Sequence, residues 1–331
     1  MYSNFSTMDV CWGVLPKVSR KPIDEQIMIS YLIFRLIDTV EDSNIPKKKK
    51  KFYFKELIKF FSTKKTQKML ENFKNRLIDD IKCSYEKVLL EILPTLHEAF
   101  FSFPKKIRDT ILYWAKEMAK GMYKFQFSLI KTIEDQNKYS YYVAGVVGYL
   151  FTDLIYLNKR ITYRTYTKLK QYANHFGLAL QKINILRDVA KDFYEKRYYW
   201  PEEILKKYGI DYKKLFSKKY RKKALLVVAE LIQDTKKYLN DSINYILELP
   251  NKETGLRLFC LIPLFMAIES FIKILKSNEL FNVNSIVKIS REQVYEIVNF
   301  SILVATSNEK VMEWFQNKMS DLEKEIALII R

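Results

Sequence analysis

Histidine and cysteine are close to absent from this chain of 331 residues. It has two of the first, His97 and His175, and three of the second, Cys11, Cys83 and Cys260. No spacing among them matches a zinc or iron site, so metal chemistry through nitrogen or sulfur ligands is excluded as a theme. An odd, scattered set of cysteines builds no disulfide framework and points to free thiols in a reducing compartment. Both histidines read as packing or surface residues. Glycine and proline are scarce too, at seven and eight. A protein of short strands needs frequent turn residues, whereas long uninterrupted helices do not. The N-terminus lacks the basic-then-apolar layout of a secretory signal. The longest wholly apolar run, Leu258 to Ile268, is far shorter than the ~20 residues of a membrane span. A soluble, cytoplasmic chain is the expectation.

What is present fits a large helical core. Hydrophobic residues make up 48% of the chain and aromatics 15%. Helical periodicity predicts an all-α protein with helices near 24–42, 52–63, 66–82, 106–131, 138–158, 163–193, 219–247, 253–276, 291–305 and 308–330. The breaks between them are short and none resembles an interdomain linker, so residues 1–331 read as one domain. The net charge is +19, from 57 basic and 38 acidic residues. Such a field attracts anions: nucleic acid, acidic lipid headgroups or phosphorylated substrates. The run Lys47 to Lys51 reads as a solvated loop, with an electrostatic guide for anions as the sharper alternative. Basic charge also leaves peripheral contact with the inner face of a membrane open.

Two apolar segments carry acids where acids are costly. Tyr31, Arg35, Asp38 and Asp42 fall at i, i+4, i+7 and i+11 of one helix, with Glu41 beside them. Asn184, Asp188 and Asp192 step by four along a second. Helical spacing gathers each set into a stripe. Charges inside an apolar helix need partners or a metal. Two such helices facing one another would concentrate oxygen ligands suited to Mg2+ together with substrate phosphates. Each segment also carries an arginine, Arg35 or Arg187, able to pair with an aspartate or a phosphate. The plainer alternative is a pair of buried salt-bridge networks.

Two further segments stand out. In Tyr139 to Gly148, Ala144, Gly145 and Gly148 leave a helix face nearly bare, open to a neighbouring backbone or a ligand. Glycine costs a helix about 1 kcal/mol against alanine, so two of them imply a packing or functional reason. In Phe259 to Ile268 a proline, Pro263, interrupts a wholly apolar helix. It reads as ordinary core or as the bent wall of a hydrocarbon pocket.

Taken in order, Asp38-Thr39-Val40-Glu41-Asp42, Tyr142-Val143-Ala144-Gly145 and Asn184-Ile185-Leu186-Arg187-Asp188 resemble the squalene/phytoene synthase family. The likeness runs from Trp12 to about Gln293. It implies the class I isoprenoid synthase fold, a helical bundle around a central cavity, and Mg2+-dependent head-to-head joining of two farnesyl diphosphates, with NADPH as reductant where squalene is the product. It assigns Asp38, Glu41, Asp42, Asp188 and Asp192 to the metal, and Tyr139, Tyr31 and Arg35 to catalysis. Ser19, Asn184, Arg187, Phe259 and Cys260 fall at substrate-contacting positions, and Arg20, Arg35, Arg187 and Lys288 at cofactor-contacting ones. The expected partner is farnesyl diphosphate and not nucleic acid, and a monomer is the expected state.

Three departures mark the chain. Lys191 stands where relatives usually carry an acid. The stretch after Arg20 is short by roughly two to three helical turns. Ser290 stands where an arginine is expected in a nucleotide-contacting strip, with Arg291 next to it. An unreduced product of the dehydrosqualene or phytoene type is therefore the alternative within the class. The rival from another class is a basic helical protein that binds membrane or nucleic acid without catalysis. That rival leaves the acids on apolar helices unexplained.

Overall fold

The computed structural model describes residues 22–43, 45–81 and 84–331, the side chains of 84 and 85 excepted. Ser19, Arg20 and the whole Trp12–Arg20 match lie outside the described residues, as do Cys11 and Cys83. Among the described residues every regular element is helical. They fall into two compact units, the first from 22–128 with 149–160, the second from 129–148 with 161–331.

The first unit opens with α1 (Ile23–Asp42), followed by α2 (Lys47–Ser62), α3 (Gln67–Ile78), α4 (Ser84–Glu91), α5 (Leu93–Ser102) and α6 (Lys105–Phe125). α1 buries Ile23, Ile27, Ile33, Phe34, Ile37 and Val40, the three-and-four spacing of a helix with one apolar face. It packs on α2, α4, α5 and α6. Aromatic edges lock the centre: Phe60 meets Phe73 at 4.6 Å and Phe61 meets Phe100 at 5.3 Å. Burying such rings supplies much of a core's stability.

The lysine run corrects the sequence reading. Lys47 to Lys51 is the first turn of α2, not a solvated loop. Five lysines at a helix N-terminus oppose the helix dipole, but two of them have taken work elsewhere. Lys50 is buried and donates to the carbonyl of Glu41, one of the open acceptors at the end of α1. Lys47 donates to the carbonyl of Gln126 at 2.6 Å. Helices α4 and α5 were also unforeseen, because no long apolar period announces either.

The second unit runs through α7 (Ile133–Ser140), a π turn (Tyr141–Gly145), the start of α8 (Val146–Leu157), α9 (Tyr163–Arg187), α10 (Val189–Tyr194), α11 (Glu202–Lys207) and α12 (Tyr212–Leu215). It ends with α13 (Arg221–Glu248), α14 (Thr254–Lys276), α15 (Arg291–Val304) and α16 (Asn308–Ile330). The helix expected over 163–193 breaks at Asp188, whose ψ of 9° ends α9 and starts α10. The bare face of Tyr139–Gly148 proves to be a backbone seam. A Cβ on Gly148 would strike the carbonyl of Ala173, and one on Gly177 the carbonyl of Ala144.

α14 is the buried core of this unit. By length and composition it could cross a membrane, with a mean hydropathy of 2.1 over its most apolar window, yet 83% of that window is buried inside the protein. Pro263 removes one hydrogen bond but does not end the helix. Arg257, wholly buried, holds the ends of its neighbours. It donates to the carbonyls of Ile246 at 2.8 Å and Leu249 at 2.7 Å, to Asn308 Oδ1 at 2.7 Å, and to the carbonyl of Ala305.

Candidate active site

The first acid stripe lies in the first unit and is assembled as its spacing predicts. Arg35 donates to Asp38 Oδ2 at 3.1 Å and reaches Glu86 Oε1 at 3.9 Å. Glu86 on α4 was not foreseen, since its segment carries no signal that singles out one acid. Burial pushes the Asp38 carboxyl up to about 7, with Asp42 and Glu86 adding to the rise and Arg35 opposing it. Burial works against the Arg35 guanidinium too, but Asp38, Tyr31, Glu86 and Asp42 outweigh it and hold its pKa above the ordinary value. Asp42, at the end of α1, is exposed, while Tyr31 and Glu41 are half-buried. These five positions share one helix face, and Glu86 joins them from α4.

The second set lies in the second unit. Arg187 grips both oxygens of Asp188, Nε to Oδ1 at 2.8 Å and Nη2 to Oδ2 at 2.7 Å. The backbone N–H of Asp188 donates to the carbonyl of Asn184, and that of Asp192 to the carbonyl of Asp188. The step of four thus survives the break between α9 and α10. Burial, reinforced by Asp188, raises the Asp192 carboxyl to about 7 against the pull of Arg197 and Lys191. Lys288 stands close enough for Arg187 and Lys191 to lower its pKa, after partial burial and against Asp188. Arg187, Lys191 and Lys288 therefore form a cationic border beside two carboxylates. Ser290 serves another purpose: it caps α15, trading hydrogen bonds with Gln293.

Tyr139 is 5% exposed and stacks on Tyr199, ring centres 4.6 Å apart and planes 17° from parallel. Behind this pair Gln136 donates to the carbonyl of Tyr199 at 2.9 Å and accepts from Lys182 at 2.8 Å. Lys182 was missed in the sequence, although Leu178, Lys182 and Leu186 share one face at steps of four. A cation in that apolar row was the available signal. Of the other expected contacts, Phe259 is half-buried on α14 and Cys260 is a buried free thiol, 2% exposed. From α10 onward, Phe193, Tyr198, Leu205, Ile210 and Tyr212 line a cleft of about 570 Å³ together with the charged Glu202, Lys206, Asp211 and Lys213.

Among the described residues no three acid, histidine or thiol groups converge on a single point. Magnesium does not require them, because it keeps several waters and takes one or two carboxylates together with phosphate oxygens. The donor set fits that demand. It offers hard oxygens only, in partly buried acid pairs whose mutual repulsion a divalent cation relieves.

Comparison with known proteins bears on the family and the fold. A family model described as Squalene/phytoene synthase matches residues 14–293. A squalene synthase of Schizosaccharomyces pombe is 31% identical over 302 residues, which cover 88% of this chain and 62% of that protein. Squalene synthase 1 of Arabidopsis thaliana is 27% identical, covering 87% of this chain and 70% of its own. The chain thus spans under two thirds of the length of the first of these relatives. A solved structure described as TcSQS with the ligand BPH1237 superposes with a TM-score of 0.74 at 25% identity, over 98% of this chain and 96% of that one.

Proposed function

We infer the activity from one premise: the chain belongs to the squalene/phytoene synthase family. The proposed reaction joins two farnesyl diphosphates head to head (1′-1), through presqualene diphosphate, to squalene. The observation that carries it is the state of the two acid pairs. Each stands on an apolar helix with an arginine against it, and in each one carboxyl is raised to about 7. Solvated surface acids have no such reason to shift.

Asp38, Glu41 and Asp42 would hold Mg2+ in the first unit, and Asp188 and Asp192 in the second. When bound, Mg2+ supplies Lewis-acid stabilisation of the diphosphate leaving group and NADPH supplies hydride. Arg35 and Arg187, kept charged by their acid neighbours, can transfer a hydrogen bond from carboxylate to diphosphate. Lys191 and Lys288 add positive potential to the same border. The Tyr139 hydroxyl steers the proton lost as the cyclopropane closes, and Tyr31 lines the first acid stripe. Asn184 and Phe259 would contact substrate, and Arg187 and Lys288 the nucleotide phosphates. One structural detail favours the unreduced product as second reading: Ser290 is committed to capping α15, so the nucleotide strip relies on Lys288 and Arg291.

Incubating the chain with farnesyl diphosphate and Mg2+, with and without NADPH, and analysing the product by mass spectrometry tests this. Squalene formed only with NADPH is the expected result. A hydrocarbon formed equally without it selects the second reading. Asp38→Asn and Asp188→Asn should each lower diphosphate release at least ~100-fold. Release at the unaltered rate in both would remove the acids from the mechanism.

A further inference from the structure

We propose that Lys182 is a positioning residue that sets the Tyr139–Tyr199 stack through the amide of Gln136. The inference deepens the activity proposed above and rests on it for the role of Tyr139. Lys182 is 2% exposed, in an apolar row of α9 between Leu178 and Leu186. A lone ammonium there is costly unless every donor is engaged. One donor meets Asp234 Oδ2 at 2.9 Å, another meets Gln136 Oε1 at 2.8 Å, and the group lies 5.4 Å from the ring centre of Tyr238.

An ammonium can only donate. It therefore fixes which end of the Gln136 amide faces it, and the amide nitrogen must point the other way. That nitrogen donates to the carbonyl of Tyr199 at 2.9 Å. The following residue, Trp200, is tied as well. Its indole donates to the carbonyl of Ile185 at 3.1 Å, and its backbone exchanges two hydrogen bonds with the Tyr212 hydroxyl. The Tyr199 peptide is thus held from both sides, and its ring stacks on Tyr139. Gln136 and Tyr139 lie three apart on α7, so one short helix carries both the amide and the tyrosine. A Lys182–Asp234 pair that served only to tie α9 to α13 would not need the Gln136 contact.

The test uses the full chain with Lys182→Met and Gln136→Met, each also combined with Tyr139→Phe. Gln136→Met leaves the Lys182–Asp234 pair in place and guards against loss of folding in Lys182→Met. Each single variant should lower kcat on farnesyl diphosphate about tenfold with KM within about twofold. In the Tyr139→Phe background the further loss should shrink below about twofold, because a residue acting through another is not additive with it. 3-Fluorotyrosine placed at position 139 gives a readout independent of turnover: its fluorine signal should shift or broaden in both single variants. Full tenfold losses that persist beside Tyr139→Phe, or an unmoved fluorine signal in Gln136→Met, would overturn the proposal. Should the unaltered chain turn over no farnesyl diphosphate, the activity reading fails and the fluorine comparison alone decides the positioning role.

Discussion

Arg257 takes no part in the acid stripes, yet it ties the end of α13 to the end of α15 and the start of α16. Its guanidinium satisfies three buried carbonyls and, at the protein surface, the amide oxygen of Asn308. Arg257→Met fills most of the same space and leaves those acceptors bare. A cost of about 3 kcal/mol is expected, read as a lowered denaturation midpoint. A change below ~1 kcal/mol would mean the acceptors find other donors. His97 makes a different prediction. It is 3% exposed, its Nε2 lies 3.1 Å from the carbonyl of Phe60, and burial lowers its pKa below the ordinary 6.5. The unfolded chain then takes up a proton there more readily than the folded one. The stability this group contributes is complete above pH 6.5 and is lost as pH falls below it. His97→Gln should flatten the loss of stability between about pH 7 and pH 5. An identical pH slope in the variant would exclude His97 as its source.

At the scale of elements, the seam formed by Gly148 and Gly177 governs how two helices meet. Gly148→Ala sets a methyl against the Ala173 carbonyl, and backbone cannot yield as a flexible side chain can. Destabilisation of about 3 kcal/mol is expected, measured by denaturant unfolding. Lys196, just past α10, sits at φ 59°, a conformation costly for residues with a Cβ. Lys196→Gly should raise stability by about 0.5 kcal/mol, and a loss instead would assign the lysine side chain a contact worth more than the strain. The long elements were legible because an apolar stripe of period 3.6 survives any context. α1, α9, α13 and α16 are of that kind. The short ones were not. α4, α5, α11 and α12 are eight or ten residues long at most, or shorter still, too few for a period to show. The lysines of α2 mislead by composition, since nothing in the sequence tells that Lys50 folds back onto the end of α1.

For the whole molecule the decisive fact is the surplus of positive charge, +19. Many of the basic side chains pair locally, as Lys105 does with Asp109 or Lys206 with Glu202, without reducing that surplus, and such exposed pairs add little stability. The rest sets a long-range field. If the substrate is a diphosphate, kcat/KM should fall severalfold as salt rises from about 0.05 to about 0.5 M, while kcat stays nearly constant. A flat profile would mean the field plays no part in capture. The candidate site was legible wherever a residue type contradicted its surroundings, as Asp38 and Asp192 do. It was illegible where a side chain matters through what lies behind it: Glu86 and Gln136 acquire meaning only once helices distant in sequence are brought together, and the cation at Lys182, visible in its apolar row, acquires its partners only then.

The π turn at Tyr141–Gly145 has a consequence for the length of the chain. A wide turn absorbs one surplus residue without rotating the helix on either side. Deleting a single residue there would convert it to ordinary α geometry while Tyr139 and Gly148 kept their facing directions. Such a shortened protein should fold as well as the original, so any loss of turnover in it would be traceable to the bulge itself.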